Sequence, residues 1–263
     1  MTSDIRIDVD VDSHVATITL SRPEVRNAFN DAVIARLSEA FVQLGERADV
    51  RAIVLAAEGP AFCAGADLNW MRRMADYTRE ENLADAVQLA FMLRTIYECP
   101  KPTVARVQGD VYAGGMGLVA ACDVAVSVDT AHYCLSEVKL GLIPATISPY
   151  VIRAMGPRAA HRYFLTAERF GAAEALRMGF VHEVVPAEQL DGKVGEIVRA
   201  LTSASPGAVR ECKKLVQDVA GRDITRLLIE RTVEGIADIR ASDEGKEGVQ
   251  SFLQKRKPAW LNP

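Results

Sequence analysis

The sequence predicts a largely parallel α/β fold that ends in a helical region. Two observations support this fold class. Before Pro186, short apolar segments alternate with segments whose apolar residues recur at helical spacing, and after Pro186 no convincing strand follows. Alternating strands and helices are typical of a parallel sheet covered by helices. We therefore assign residues 1–200 to an α/β core and residues 201–263 to a C-terminal helical region.

The elements are predicted in order from alternation, spacing and capping residues. Ala16, Ile18 and Leu20 alternate with threonines, as in a half-buried strand. Asn30 is a suitable N-cap for the first helix, over residues 31–44. Further strands are expected at 52–56, 103–107, 124–128 and 181–185, and further helices at 80–97, 172–178, 187–203, 206–220, 224–240 and after Ser242. The apolar face of the 80–97 helix is formed by Leu83, Val87, Ala90 and Phe91.

The composition excludes several classes of protein. The chain of 263 residues has 31 Lys and Arg against 35 Asp and Glu, so no basic excess is available to neutralise nucleic acid. The longest apolar run, 111–122, is too short for a membrane span. Five scattered cysteines without a C-x-x-C pair argue against a disulfide framework and a metal site. Because the first 13 residues lack the order of a signal peptide, we expect a cytoplasmic protein.

Two glycine-bearing segments are the candidates for a functional site, since nucleophile-elbow, phosphate-loop, zinc-protease and dinucleotide-binding motifs are absent. The first is 61–68, directly after the strand at 52–56, and the second is 113–118, before an apolar stretch. Small residues let backbone amides approach a ligand, and amides at a helix start favour negative charge. One amide from each segment could form an oxyanion hole. On spacing alone, tight turns remain the simpler interpretation.

The chain also contains a set of short segments in a fixed order. They are 21–28, 61–68, 107–109, 113–117, 121–123, 136–144, 165–167, 175–181 and 252–258. In this order the set resembles the crotonase (enoyl-CoA hydratase/isomerase) superfamily over essentially the whole chain. Segments 65–71, 135–150 and 162–168 are similar to those of bacterial methylglutaconyl-CoA hydratases of leucine catabolism. The resemblance implies a spiral of repeated β-β-α units followed by a C-terminal helical trimerisation region.

The resemblance also implies a set of site residues. The backbone amides of Ala66 and Gly114 would form the oxyanion hole for a thioester enolate, and Glu137 would be the catalytic acid and base. The substrate and its CoA would be bound by Asn27, Ala28, Ala64, Ala66, Asp67, Leu68, Asn69, Gly114, Phe252 and Lys255. No cofactor or metal is implied, because CoA is part of the substrate. The implied partners are the acyl-CoA and further copies of the chain, in a trimer or a dimer of trimers whose last helix reaches a neighbour's CoA.

One position departs from the family pattern and leaves the activity open. Gly117 stands where standard hydratases of the family carry their first glutamate, so Glu137 is the single carboxylate. We expect this glycine to leave room for a methyl branch or a water molecule. A cation for the distal carboxylate of 3-methylglutaconyl-CoA, the favoured substrate, is expected from Lys139, Arg72, Arg73 or Arg153. The alternatives to hydration are a Δ3,Δ2-enoyl-CoA isomerase with Glu137 as proton shuttle and a non-catalytic acyl-CoA-binding protein.

Overall fold

A computed structural model of the protein describes residues 4–261. The strands are β1 (Ile5–Asp10), β2 (Val15–Leu20), β3 (Ala52–Ala57), β4 (Ala61–Cys63), β5 (Thr103–Val107), β6 (Asp110–Tyr112), β7 (Val124–Val128), β8 (His132–Cys134), β9 (Phe170–Gly171) and β10 (Glu183–Val185). The helices are α1 (Asp31–Glu46), α2 (Leu68–Met74), α3 (Arg79–Tyr97), α4 (Gly114–Ala121), α5 (Ser148–Thr166), α6 (Ala172–Arg177), α7 (Leu190–Ser203), α8 (Pro206–Val219), α9 (Arg226–Ala241) and α10 (Asp243–Leu253). A short 3-10 helix spans Glu137–Leu140.

The strands form two sheets. The larger sheet has the order β1-β2-β3-β5-β7-β10 and is parallel except for the β1–β2 pair. The smaller sheet has the order β4-β6-β8-β9, and its first three strands are parallel. Three successive passes of the chain, which begin at β3, β5 and β7, each contribute one strand to the larger sheet, the next strand to the smaller sheet, and then one or two α-helices. The predicted α/β class and spiral of β-β-α units are therefore confirmed.

The core lies between the sheets and the helices that cover them. Every residue of β3 is buried, as expected for a central parallel strand that is covered on both faces. The first helix begins where the sequence indicates, since the Asn30 side chain accepts a hydrogen bond from the Val33 amide. Strand β10 covers Glu183–Val185 and is shorter than the strand predicted at 181–185. Residues Ala187–Gln189, predicted as the start of a helix, form a 3-10 helix ahead of α7.

The last helices are more exposed than the core. Neither α8 nor α9 has a fully buried residue. An ion pair joins α8 to the core, because Lys213 Nζ donates to Asp123 Oδ2 at 2.8 Å. Helix α10 packs against α8 and α9. In residues 4–261, no helix combines the length and apolar character that crossing a bilayer would require.

Candidate functional site

The three predicted catalytic positions follow three neighbouring strands of the smaller sheet. Ala66 follows β4, Gly114 follows β6 and Glu137 follows β8. These strands are parallel and pair in that order, so their carboxyl ends lie at the same edge of the sheet. Neighbouring strands are about 4.8 Å apart. The fold thus brings the three positions, which are far apart in sequence, to one edge.

The two glycine-bearing segments contact each other at this edge. A Cβ atom on Gly65 would lie 3.5 Å from the Gly114 nitrogen and 3.0 Å from the Ala113 Cβ. Gly65 also has a φ of +89°, which a residue with a side chain adopts only at a cost. The close approach of the segments therefore requires glycine at position 65.

The amides of Ala66 and Gly114 are free to bind a ligand oxygen. Phe29 accepts from the Asp67 amide and donates to the Gly65 carbonyl, each at 2.9 Å, which leaves the intervening Ala66 amide unpaired within residues 4–261. Gly114 is the first residue of α4, and its amide likewise has no acceptor in the described part of the chain. Unpaired amides at a helix start carry partial positive charge. They are suited to stabilising an enolate oxygen.

The turn into α4 is conformationally strained. Ala113, its N-cap, has a φ of 47° and a ψ of −121°, which is unusual for a residue other than glycine. Two hydrogen bonds hold this conformation: the Ala113 amide donates to the Cys134 carbonyl at 2.8 Å, and its carbonyl accepts from the Met116 amide at 2.9 Å. The first bond connects the Gly114 segment directly to the strand that leads to Glu137.

Glu137 has the environment of a catalytic acid or base. Its Oε2 atom is buried and has no hydrogen-bond partner among the residues that the structure describes. Burial raises the pKa of the Glu137 carboxyl, and a backbone amide opposes this shift in part. A carboxyl with a raised pKa exchanges protons more readily near neutral pH than an exposed glutamate does.

Asp67 holds the Ala66 segment in place and is not positioned as a catalyst. Its Oδ1 accepts from the amides of Asn69 at 2.8 Å and Trp70 at 3.3 Å, which caps α2. Its Oδ2 accepts from Arg22 Nη2 at 2.9 Å, and Arg22 Nη1 donates to the Ala28 carbonyl at 2.7 Å. These four hydrogen bonds fix the loop that contains Asp67.

The remaining residues expected to bind CoA differ in their exposure. The Asn27 side chain is buried; it accepts from the Arg22 amide and donates to the carbonyls of Glu58 and Ala61. Its amide group therefore joins loops of the protein. By contrast, the side chains that can meet a ligand at this edge are exposed or half-buried: Ala64, Leu68 and Asn69. Ala28 is buried.

Phe252 is the next-to-last residue of α10, and Lys255 follows that helix. Phe252 is 82% exposed. Lys255 is exposed and has a left-handed backbone, with a φ of 54°. The helix that precedes Lys255 and carries Phe252 packs against α8 and α9.

The expectation that Gly117 leaves room for a methyl branch or a water is wrong. Gly117 is buried, and a Cβ placed on it would lie 2.9 Å from the Ile147 Cβ, nearer still to Ile147 Cγ2, and 3.3 Å from Leu93 Cδ2. Hydrocarbon therefore fills the space that a side chain at position 117 would need. Sequence spacing gave no signal of this contact, because Ile147 belongs to a different segment.

The four candidate cations differ in their partners. Arg73 pairs with Asp31 at 2.8 Å, Arg153 donates to the Tyr97 hydroxyl at 3.1 Å, and Arg72 donates to the Asn69 side chain at 2.6 Å. Lys139 is exposed, and its ammonium group forms no ion pair or hydrogen bond within residues 4–261. It also lies on the same 3-10 helix as Glu137. Lys139 is therefore the candidate whose charged group has no partner in the described part of the chain, whereas Arg72 and Arg153 donate to neutral groups and keep their charge as well.

Comparisons with known proteins identify the family and the fold. The family model described as enoyl-CoA hydratase/isomerase matches residues 10–263. Enoyl-CoA hydratase AFT6-1 of Alternaria alternata is 37% identical over 250 residues, which cover 91% of this chain and 78% of that protein. The crystal structure of an enoyl-CoA hydratase from Shewanella pealeana is 41% identical, with a TM-score of 0.95 over 98% of this chain and 96% of that one. An enoyl-CoA hydratase from Mycobacterium smegmatis is 34% identical, with a TM-score of 0.93 over 99% and 100%.

Proposed function

Because this chain belongs to the enoyl-CoA hydratase/isomerase (crotonase) superfamily, we propose that it is an enoyl-CoA hydratase that adds water to a short or branched α,β-unsaturated acyl-CoA. One observation carries the proposal. The unpaired amides of Ala66 and Gly114 follow the ends of adjacent parallel strands, and so does Glu137, whose Oε2 atom is buried and unpaired in the described part of the chain. An oxyanion hole beside one general base is what water addition to a thioester needs.

In the proposed reaction the chain supplies two functions. The Ala66 and Gly114 amides donate to the thioester oxygen and stabilise the enolate, each by about 3 kcal/mol. The Glu137 carboxylate takes a proton from water as the oxygen attacks the β-carbon. The same proton then passes from Glu137 to the α-carbon, the enolate collapses to the thioester, and the carboxylate is regenerated. No metal or redox cofactor is needed, because CoA enters with the substrate.

The favoured substrate is 3-methylglutaconyl-CoA. The resemblance of segments 65–71, 135–150 and 162–168 to methylglutaconyl-CoA hydratases supports this choice, and so does the unpaired charge of Lys139, two residues from Glu137. Lys139→Met should raise KM for this substrate about 10- to 100-fold, because a charged hydrogen bond contributes about 1.5–3 kcal/mol. The same variant should change KM for crotonyl-CoA by no more than about twofold, because crotonyl-CoA has no distal carboxylate. Arg72→Met is the matched control; an equal effect of both variants on both substrates would contradict the choice.

The chain is proposed to assemble as a trimer or a dimer of trimers. Large apolar side chains are exposed on the C-terminal helices, among them Leu227, Val233, Val249, Phe252 and Leu253. Exposed apolar surface of this extent is typical of an interface between subunits. Burial of Phe252 and Lys255 against a neighbour would bring them to CoA, as the resemblance implies. Sedimentation of the purified protein should give a mass of three or six chains.

The alternative activity is isomerisation of a 3-enoyl-CoA to a 2-enoyl-CoA. It is favoured by the single carboxylate, since isomerisation only requires one group that moves a proton between two carbons. The experiment that separates the two is mass spectrometry of the products formed in heavy-oxygen water, from 3-methylglutaconyl-CoA and from a 3-enoyl-CoA. Labelled oxygen in the product, lost in Glu137→Gln, establishes hydration. A moved double bond without added oxygen establishes isomerisation, and tight binding without turnover would mean an acyl-CoA-binding protein.

A further inference from the structure

We propose that Ile147 is a positioning residue for Glu137, which it holds in place by filling the space beside Gly117 on α4. This inference rests on the proposed hydratase function, because it concerns the geometry of the single catalytic carboxylate. Glu137 and Ile147 lie at the two ends of one connecting segment, which runs from the end of β8 to the start of α5. The packing of one end therefore affects the position of the other.

The contact between Ile147 and Gly117 requires that position 117 has no side chain. Ile147 is 2% exposed, and its Cβ would lie 2.9 Å from a Cβ at position 117. Rotating the isoleucine side chain does not relieve this contact, because its Cβ is fixed to the backbone. A substitution at position 117 must therefore move the backbone at residue 147 or the helix that carries residue 117.

Helix α4 has little freedom to move away from Ile147. A Cβ on Gly114 would lie 3.0 Å from Phe29 Cε1, and a Cβ on Gly115 would lie 2.9 Å from the Cys63 Cβ. Both neighbours are fully buried. Close-packed interiors transmit such displacements instead of absorbing them. The displacement would thus fall on Ile147 and on the segment that connects it to Glu137.

Buried residues and local hydrogen bonds hold the connecting segment. Between Lys139 and Ile147, only Pro144 and Ile147 are buried. At the first end, the Leu142 amide donates to the Glu137 carbonyl at 3.0 Å. At the other, the Ile147 carbonyl accepts from the Val151 amide at 3.1 Å. Between these ends, the Ser148 amide donates to the Ala145 carbonyl at 3.2 Å and the Ala145 amide donates to the Ile143 carbonyl at 2.8 Å, so consecutive turns connect Ile147 to the Leu142–Glu137 bond.

The test is a cycle of variants at the two positions, assayed as hydration of an enoyl-CoA. Gly117→Ala should lower kcat about 10- to 100-fold, because a displacement of about 1 Å of a catalytic group has this effect. In the background of Ile147→Gly, where the obstructing side chain is gone, the same change should alter kcat by less than about twofold. KM should stay within about threefold throughout, because the oxyanion amides and the CoA contacts are unchanged.

Two controls separate positioning from general destabilisation. Gly192→Ala on α7, where a Cβ would meet nothing within 4 Å, should leave kcat within about twofold. The milder Ile147→Val should lower kcat less than Ile147→Gly does. Should Gly117→Ala fail to fold, Ile147→Val should still fold and can be assayed in its place. The acid limb of the pH–rate profile should also move to lower pH in Ile147→Gly, because a loosened Glu137 is better solvated.

The inference is overturned if Gly117→Ala lowers kcat equally in both backgrounds, or if KM rises while kcat is unchanged. Unfolding in urea is measured on the same variants. If the wild-type protein hydrates no enoyl-CoA, the proposed function fails and the positioning role fails with it. Non-additive unfolding midpoints would then still establish the packing of Ile147 on Gly117, whereas additive midpoints would refute the packing as well.

Discussion

Removing the Asp67 carboxylate should destabilise the protein and slow catalysis together. Asp67 is 5% exposed, and its two oxygens join α2 to Arg22. The residue before it, Ala66, provides one of the two proposed oxyanion amides. Loss of the Asp67 carboxylate therefore releases the residue next to Ala66, and the position of the Ala66 amide is no longer fixed.

The size of the effect follows from the contacts. Loss of an N-cap costs about 1 kcal/mol. Loss of one partner from a buried ion pair costs about 3–5 kcal/mol, reduced here because Asp4 lies 3.7 Å from the Arg22 guanidinium. Asp67→Ala should therefore lower the free energy of unfolding by about 3–4 kcal/mol, whereas Asp67→Asn, which keeps a capping oxygen, should lose about 2 kcal/mol. Hydration kcat should fall at least about tenfold in Asp67→Ala.

The assay is urea unfolding at a series of pH values, with kcat measured on the same preparations. Burial opposes ionisation of Asp67, but the amides of Asn69 and Trp70 and the Arg22 guanidinium outweigh it and hold its pKa below the ordinary value. The stabilisation is therefore present above the pKa of the unfolded state, about 4, and is lost as the pH falls through the folded-state pKa. The difference in the free energy of unfolding between wild type and Asp67→Ala should therefore become smaller at acid pH. A difference in unfolding free energy below 1 kcal/mol at pH 7, or an unchanged kcat of Asp67→Ala, would refute this reasoning.

Three further predictions test the site and its surroundings. Glu137→Gln should lower hydration kcat about 10²- to 10⁴-fold. Since burial raises the Glu137 pKa, the wild-type rate should begin to fall in acid at a higher pH than an ordinary glutamate would give. An acid limb of the pH–rate profile near pH 4 would contradict this. Burial raises the pKa of Cys63 to about 12, so alkylation of the native protein should modify exposed Cys212 and leave Cys63 unmodified. Peptide mapping measures this, and rapid alkylation of Cys63 would refute it. Lys213→Met should lower the unfolding free energy by about 1–3 kcal/mol, because Asp123 would lose its cation; an unchanged urea midpoint would count against that.

The sequence predicts long elements and fails for short ones. Alternation and spacing located β2, β3, β5, β7 and most helices within a few residues. The strands that position the site, β4, β6 and β8, have three residues each, which is too short for any periodicity to register. The site was predicted from the resemblance of its motifs, whereas its location at one sheet edge follows from strand pairing that no local pattern contains.

Two sequence interpretations differ from the structure because tertiary contacts decide them. In α3 the buried residues are Met92, Leu93 and Ile96, whereas Val87 and Phe91 of the predicted apolar face are more than half exposed. Spacing identifies an apolar face but not what covers it. Likewise, the glycine at 117 suggested open space, but a buried glycine more often marks close packing, which depends on a distant residue.

The central claim is that the single carboxylate of Glu137 moves both the water proton and the α-proton. The most direct measurement incubates the 3-hydroxyacyl-CoA product in water labelled with heavy oxygen and deuterium, and follows exchange at both carbons by mass spectrometry. The account predicts that Glu137→Gln lowers oxygen exchange at the β-carbon and deuterium exchange at the α-carbon together, each by at least about 100-fold. Loss of oxygen exchange with α-carbon exchange retained would show that another group moves the α-proton, and would contradict the account.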